Sequence, residues 1–158
     1  EKTMVIDTKY GYIALSLRDD LAPNHAVRLT ELTREGFYDG VVFHRVIDGF
    51  MAQTGDPTGT GRGGSDKPDL GPEFSDPTVA SFNRGTVGMA RSQDPASANS
   101  QFFIMFDAGS FLDGQYTIVG EVLVGMDAVD QIKRGAPGSG TVANPDRMQR
   151  VFMLSDEI

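Results

Sequence analysis

The stretch Phe43-His-Arg-Val-Ile-Asp-Gly-Phe-Met-Ala-Gln-Thr-Gly-Asp56 decides the fold, because it holds two short β-type runs joined by a tight turn. The runs cover residues 41–46 and 50–55. Between them stands Asp48-Gly49, a dipeptide typical of two-residue hairpin turns. The sequence therefore predicts an antiparallel hairpin here.

This hairpin carries polar side chains at positions where they could act together. Because side chains alternate between the faces of a strand, Arg45 is predicted to share a face with Val41 and Phe43. By the same alternation, Met51 and Gln53 share a face of the second strand. One hairpin can thus present a guanidinium, a thioether and an amide. A lone Arg in a strand is more often a solvated surface group, so this pattern alone assigns no function.

A second cluster, Ser100-Gln-Phe-Phe-Ile104, shows the same division of faces. Gln101 and Phe103 fall on one side of the predicted strand, and Phe102 and Ile104 fall on the other. One side is expected to pack into the core while the other lines a surface site.

Outward from these segments the chain reads as mainly β. Further strands are predicted at 3–7, 12–17, 85–90, 102–106, 116–124 and 151–154, and helices at 23–35 and 126–133. There is no alternation of strands and helices of the kind that builds parallel sheets. We expect one domain over residues 1–158, folded as a closed eight-stranded antiparallel β-barrel capped by two α-helices, because closure removes exposed edges.

The composition excludes several classes of protein. The 158 residues include no cysteine, which rules out disulfide scaffolds and thiolate metal sites. The net charge is −8 and the cations are scattered, so nucleic acid and anionic membrane are poor partners. No apolar run approaches the ~18 residues that a membrane helix requires. A cytoplasmic monomer is expected, or a periplasmic one if a signal peptide was removed before Glu1.

Residues 56–77 form a long segment rich in glycine and proline, without regular periodicity. Loops of this length inside a compact domain are usually functional or mobile, so a flexible or gating loop beside a groove is expected. The glycine run 59–64 lacks the Lys-Ser/Thr and the following helix of a phosphate-binding loop. His25, on the first predicted helix, is expected to be exposed, and two histidines without ligand-like spacing give no reason to expect a metal.

Taken together, these motifs closely resemble the cyclophilin signature. The resemblance rests on Phe43-His-Arg-Val-Ile47, Gly49-Phe-Met-Ala-Gln-Thr-Gly-Asp56, Phe74, Gly85-Thr-Val-Gly-Met-Ala-Arg91, Ser100-Gln-Phe-Phe-Ile104, Phe111-Leu-Asp-Gly114 and Val119-Gly-Glu-Val122. It runs in order over residues 4–154. It implies a peptidyl-prolyl cis/trans isomerase that acts on X-Pro bonds of unfolded or flexible segments, with no metal and no cofactor.

Carried over by position, the resemblance also implies a proline-binding site. Arg45 would be the catalytic arginine, with Gln53 steadying it or the substrate backbone. The remaining substrate-binding positions would be Phe50, Met51, Phe103, Phe111, Leu112 and Tyr116 around the proline ring, Ala90, Arg91 and Gln101 along the groove for preceding residues, and His44 near the site. Arg91 would contribute mainly through its backbone.

The chain departs from the family pattern at positions that affect drug binding. Many eukaryotic cyclophilins carry Trp where this chain has Phe111, His where Tyr116 stands, and Asn-Ala at Arg91-Ser92. Binding of cyclosporin is therefore expected to be weak, because the Trp donates a hydrogen bond that Phe cannot. A proline-peptide-binding or chaperone-like module with little catalysis is the alternative, although a pure binder has no need of Arg45.

Overall fold

The structure is a computed structural model that describes residues 2–157, and it contains eight strands and two α-helices. The elements are β1 (Thr3–Thr8), β2 (Gly11–Leu17), α1 (Pro23–Arg34), β3 (Arg45–Ile47), β4 (Met51–Thr54), β5 (Thr86–Met89), β6 (Phe102–Met105), β7 (Ile118–Val124), α2 (Met126–Gln131) and β8 (Arg150–Met153), with 3₁₀ turns at Ser110–Leu112 and Leu154–Glu157. The predicted eight strands and two helices are confirmed. No helix of the described chain is long and apolar enough to cross a membrane.

The strands form one antiparallel sheet in the order β3-β4-β6-β5-β7-β2-β1-β8. The sheet curls into a half-barrel. Closure of the barrel is not confirmed, because no ladder within residues 2–157 joins β3 to β8. An irregular segment spans the gap instead: the N–H of Phe43 donates to the carbonyl of Asp146 at 2.8 Å, and that of Gln149 donates to Asp7 at 2.8 Å.

Two apolar clusters lie against this sheet, and they meet at adjacent residues of the same strands. The main core packs one face of α1, including Ala26, Leu29 and Leu32, against the strands, and it takes in Ile104 of β6. The second cluster contains Phe103. Because neighbouring strand residues face opposite sides, β6 serves the core with one side chain and a surface site with the next.

The first strand of the hairpin is shorter than predicted. β3 begins at Arg45, and the expected common face of Arg45 with Val41 and Phe43 is wrong, because those two side chains are buried in the core while Arg45 is exposed. His44 is buried as well as Phe43. Residues 41–44 pair with the segment before β8 rather than with β4.

His25 is buried rather than exposed, so the expectation for this residue is wrong. Its Nδ1 lies 2.5 Å from Oε1 of Glu73, and the Glu73 carboxylate also accepts the backbone N–H groups of Asn24 and His25. Burial lowers the pKa of His25, and the Glu73 carboxylate opposes this by a smaller amount. The partner stands 48 residues away in the chain, beyond the reach of local pattern.

Candidate functional site

A cavity of about 300 Å³ opens between β3–β4, the end of β5 and the 3₁₀ turn at Ser110–Leu112. It contains ten of the twelve residues that the sequence singles out; the two that do not line it are Gln101 and His44. Its lining consists of Arg45, Phe50, Met51, Gln53, Ala90, Arg91, Phe103, Phe111, Leu112 and Tyr116.

The floor of this cavity is an aromatic stack held from beneath. Phe103 stacks on Phe82, with ring centroids 5.8 Å apart, and it meets Tyr116 edge-on at 5.8 Å. At the rim, Phe111 lies 5.6 Å from Phe50 and is 70% exposed. Rings in these offset and edge-on arrangements are favourably packed. The result is a pocket with an aromatic floor and rim, open to solvent.

Arg45 stands at the mouth of the pocket, held by two neutral acceptors. Its Nη1 donates to Oε1 of Gln53 at 3.2 Å, and its Nε donates to the carbonyl of Ser139 at 3.2 Å. None of the ion pairs within residues 2–157 involves Arg45, so its charge is not neutralised by a neighbouring carboxylate. A positive charge with unused donors therefore borders an apolar cleft.

A second, polar cavity of about 450 Å³ adjoins the first and shares Gln53, Ala90 and Arg91 with it. Gln101 lines this cavity rather than the first. The other lining residues were not singled out from the sequence: Gly61, Arg62, Gly63, Gly64, Ser65, Asp69, Ser92, Ser97, Asn99 and Ser100. The glycine run 59–64 was the available signal, since a loop of this kind was expected beside a groove.

The glycine-containing loop is organised by one carboxylate. Both oxygens of Asp56, which is fully buried, accept hydrogen bonds from the loop that follows it. Burial raises the pKa of this carboxyl, but hydrogen bonds from the Thr58 hydroxyl and from the N–H groups of Gly63, Thr58 and Gly61 outweigh that effect and hold the pKa at about 2.

The side chain of Arg91 is held by several hydrogen bonds. Nε and Nη2 donate to the carbonyl of Gln115 at 3.0 and 2.8 Å, and Nη1 donates to the carbonyl of Ser92 at 2.9 Å. The guanidinium also lies 4.6 Å from the centroid of the Tyr116 ring. Arg91 thus fastens two segments of the rim and one wall of the pocket together.

His44 does not reach either cavity, and the structure does not place it among residues that could touch a ligand there. It is 8% exposed, and neither ring nitrogen has a hydrogen-bond partner within the described chain. Burial lowers its pKa; the Asp56 charge raises it and the Arg45 charge lowers it further.

Among the described residues, His, Asp and Glu side chains form no cluster of three that could hold a metal ion.

The chain is similar to known proteins over nearly its whole length. Residues 3–153 match the family model for cyclophilin type peptidyl-prolyl cis-trans isomerase/CLD. A probable peptidyl-prolyl cis-trans isomerase of Brucella suis biovar 1 is 54% identical over 168 residues, which cover 99% of this chain and 84% of the relative. The peptidyl-prolyl cis-trans isomerase-like 1 protein of Rhizopus delemar is 42% identical over 132 residues, with 82% and 78% of the two chains covered.

Solved structures show the same fold. The cyclophilin AquaCyp293 from Hirschia baltica superposes with a TM-score of 0.84 at 28% identity, covering 98% of this chain and 74% of the other. A cyclophilin-type isomerase of Cryptosporidium parvum, solved in the presence of the dipeptide Ala-Pro, superposes with a TM-score of 0.85 at 27% identity, covering 96% and 98%.

Proposed function

The chain belongs to the cyclophilin-type peptidyl-prolyl cis-trans isomerases, and from this we propose that Arg45 carries the catalytic step by stabilising the twisted X-Pro amide. The observation that carries the proposal is the position of its guanidinium, uncompensated by a carboxylate, at the mouth of the apolar pocket. Homologues with this domain are named as isomerases, so the reaction class follows from membership, whereas the role of Arg45 is our proposal.

The chemistry requires neither a nucleophile nor a proton shuttle. Rotation about X-Pro must cross a barrier of about 18–20 kcal/mol, which is the loss of amide resonance. As the bond twists, the proline nitrogen becomes pyramidal and regains a lone pair. A donor aimed at that nitrogen stabilises the twisted state more than either planar state, and only such a difference accelerates the step.

Arg45 has the donors for this role. A guanidinium carries five N–H groups and stays protonated. Hydrogen bonds to Gln53 and Ser139 occupy one N–H on Nη1 and the one on Nε. The second N–H of Nη1 and both on Nη2 make no hydrogen bond within residues 2–157, so they can turn to a substrate.

The two cavities fit the two sides of an X-Pro bond. The apolar pocket would hold the proline ring, with Phe50, Met51, Phe103, Leu112 and Tyr116 as its walls and Phe111 at its rim. The polar cavity beside it would hold the residues that precede proline. The Cryptosporidium relative solved with Ala-Pro supports this assignment of ligand class.

One hydrogen bond from Arg45 is too weak to account for the whole acceleration. An acceleration of about five decades requires roughly 7 kcal/mol. One hydrogen bond to a charged group contributes about 1.5–3 kcal/mol. Fixing the ring while the preceding carbonyl turns, in a partly desolvated pocket, supplies the remainder. Pocket shape and Arg45 therefore act jointly.

We also propose that the physiological substrates are proline-containing segments of unfolded or flexible proteins, and that the chain assists folding as a monomer without a cofactor. Both cavities open to solvent, as binding of an extended segment requires. The two apolar clusters share β4 and β6, which supports treating residues 1–158 as one domain. The cytoplasmic location stays a prediction.

NMR exchange spectroscopy on a short X-Pro peptide tests the role of Arg45. The wild type, Arg45→Ala and Arg45→Lys are compared, with Arg34→Ala on the outside of α1 as the matched control. We expect Arg45→Ala to lower kcat by about 10²-fold, as loss of a preorganised donor does, while peptide-induced shifts persist. Arg45→Lys should recover only part of the activity, because an ammonium lacks the fork geometry.

The same titration separates the alternative. If Arg45→Ala isomerises the peptide as fast as the wild type, the proposed role is wrong. If peptide binds to the wild type but exchange stays slow, the chain acts as a proline-peptide-binding module, and the fold and the pocket remain as described.

A further inference from the structure

The carboxylate of Asp56 lies beneath the loop that borders the polar cavity, and it binds that loop through the backbone. Oδ2 accepts the N–H groups of Thr60 at 3.1 Å, Gly61 at 2.6 Å and Gly63 at 3.0 Å. Oδ1 accepts the N–H of Thr58 at 2.8 Å and its hydroxyl at 2.7 Å. One buried anion therefore fixes the conformation of residues 58–63.

Gln101 holds the same two glycines from the opposite side. Its Nε2 donates to the carbonyl of Gly61 at 3.0 Å and to the carbonyl of Gly63 at 2.9 Å. Gly61 and Gly63 thus donate to Asp56 through their N–H groups and accept from Gln101 through their carbonyls. The position of the two carbonyls therefore depends on the Asp56 carboxylate, and the position of the Gln101 amide depends on the two carbonyls.

The hydrogen bonds continue from Gln101 to Arg45, and only one assignment of donors and acceptors is possible along them. Gln53 Nε2 donates to Oε1 of Gln101 at 2.9 Å, and Gln53 Oε1 accepts from Arg45. Backbone carbonyls can only accept and a guanidinium can only donate. Both glutamine amides are therefore oriented from their two ends, and reversing either one would place like groups against each other.

We propose that Asp56 is a positioning residue for the isomerase reaction, acting through the 58–63 loop and the Gln101–Gln53 amide pair to orient the Arg45 guanidinium. The inference rests on the proposed role of Arg45 and adds a residue whose carboxylate does not line either cavity. Because a hydrogen-bonded pair at 3.2 Å leaves little tolerance, a shift of the loop carbonyls is transmitted to the catalytic group.

The direct test is Asp56→Asn, which keeps the shape but replaces one acceptor oxygen by an NH₂ facing backbone N–H groups. The substrate is a blocked Ala-Pro dipeptide, which is short enough to make little use of the polar cavity. We expect kcat to fall about tenfold, a smaller loss than the ~10²-fold that a 1 Å misplacement can cost. The dissociation constant should change by less than about twofold, since Asp56 makes no contact with the apolar pocket. Asp76→Asn is the control, because Asp76 caps the N–H of Thr78 in an exposed turn.

A double-mutant cycle distinguishes positioning from a general structural role. If Asp56 acts through the amide pair, Asp56→Asn should cost little further kcat in a Gln53→Ala background, where the connection to Arg45 is already cut. An equal fold-loss in both backgrounds overturns the proposal. The Arg45 side-chain Nε–H resonance gives a second readout: it should shift in Asp56→Asn and stay unchanged in Asp76→Asn.

Gly63→Ala keeps the test decisive if Asp56→Asn does not fold. A Cβ at Gly63 would collide with Oδ1 of Asp56, whereas one at Gly71, in the same long loop, meets nothing within 4 Å. Gly63→Ala should reproduce the loss of kcat and Gly71→Ala should not. Wild-type kcat in Gly63→Ala, together with an inactive Arg45→Ala, overturns this inference alone; a fully active Arg45→Ala overturns the proposed function beneath it.

Discussion

At the scale of single residues, the side chain of Phe111 stands at the rim of the pocket. Phe111 is largely exposed and touches Phe50 through its ring, so it presents an apolar edge and no hydrogen-bond donor. Family members with Trp at this position can donate from the indole nitrogen. The expectation of weak cyclosporin binding follows from this one difference, and it stays a prediction.

We predict that Phe111→Trp strengthens inhibition by cyclosporin about three- to tenfold, the gain from one neutral hydrogen bond. Inhibition of X-Pro isomerisation is titrated for the wild type and the variant, with Phe111→Leu as a control that alters shape without adding a donor. Nanomolar inhibition of the wild type would contradict the prediction.

We expect His44 to make the stability of the protein depend on pH. Its folded-state pKa lies below 6.5 because of burial, with Asp56 and Arg45 as the charged neighbours. The unfolded chain therefore binds more protons than the native one as the pH falls below 6.5, and stability must decrease until the pH is below the folded pKa.

The expected result is a lower free energy of unfolding at pH 5.5 than at pH 7.5, and a smaller difference in His44→Gln. Urea unfolding at the two pH values measures both. His25, whose pKa is lowered too, contributes equally to both proteins, so the comparison isolates His44. An undiminished pH dependence in His44→Gln would show that its ring is not held neutral by burial.

At the scale of elements, the aromatic floor requires a residue without a side chain on the central strand β5. A Cβ at Gly88 would lie 2.5 Å from Cζ of Phe103 and 2.7 Å from Cε2 of Phe82. These rings are stacked and buried, so they have little room to move. The glycine lets one face of the sheet carry two aromatic rings across its backbone.

Gly88→Ala is therefore expected to lower the free energy of unfolding by about 1–3 kcal/mol, the usual cost of overpacking, and to weaken peptide binding by displacing Phe103. Chemical denaturation and an NMR peptide titration measure the two effects. The matched control is Gly71→Ala, which has open space around it; unchanged binding in Gly88→Ala would mean that the Phe103 ring does not depend on this close approach.

The long loop 56–77 shows how one element is shaped by others. Asp56 organises its start, Asn99 Oδ1 accepts the N–H of Ser65 at 2.8 Å, and Glu73 joins its end to His25. Glycine and proline content indicated a loop at this place. It could not indicate the anchors at Asn99 and His25, because these residues stand 34 and 48 positions from their partners in the loop.

At the scale of the whole molecule, one sheet contributes side chains to the main core and to the pocket. Ile104 packs in the main core under α1, while its neighbour Phe103 lines the pocket with the second cluster. Adjacent positions on β6 should therefore give opposite phenotypes.

We expect Ile104→Ala to lower the free energy of unfolding by about 2–5 kcal/mol, with unchanged peptide affinity in the folded fraction. Phe103→Ala should weaken peptide binding more than it lowers kcat, because the substitution removes the floor of the pocket. Denaturation and peptide titration of both variants decide the matter; equal loss of affinity in the two would show that core and pocket are not separable.

The sequence by itself determined the number of strands and helices and singled out the residues that line the pocket. Alternation places Met51, Gln53 and Phe103 correctly, and the family motifs identify ten of the twelve predicted residues as neighbours in space. These features depend on local periodicity and on motifs of consecutive residues, which a linear sequence displays.

Only the tertiary structure decided the open half-barrel, the burial of His25 and the distance of His44 from both cavities. It also decided the connection from Asp56 to Arg45, which passes through loop carbonyls and two amides. Each of these depends on contacts between segments distant in the chain. The physical reason is that burial and hydrogen-bond partners are set by the path of the backbone through space, whereas residue periodicity reports only the face on which a side chain starts.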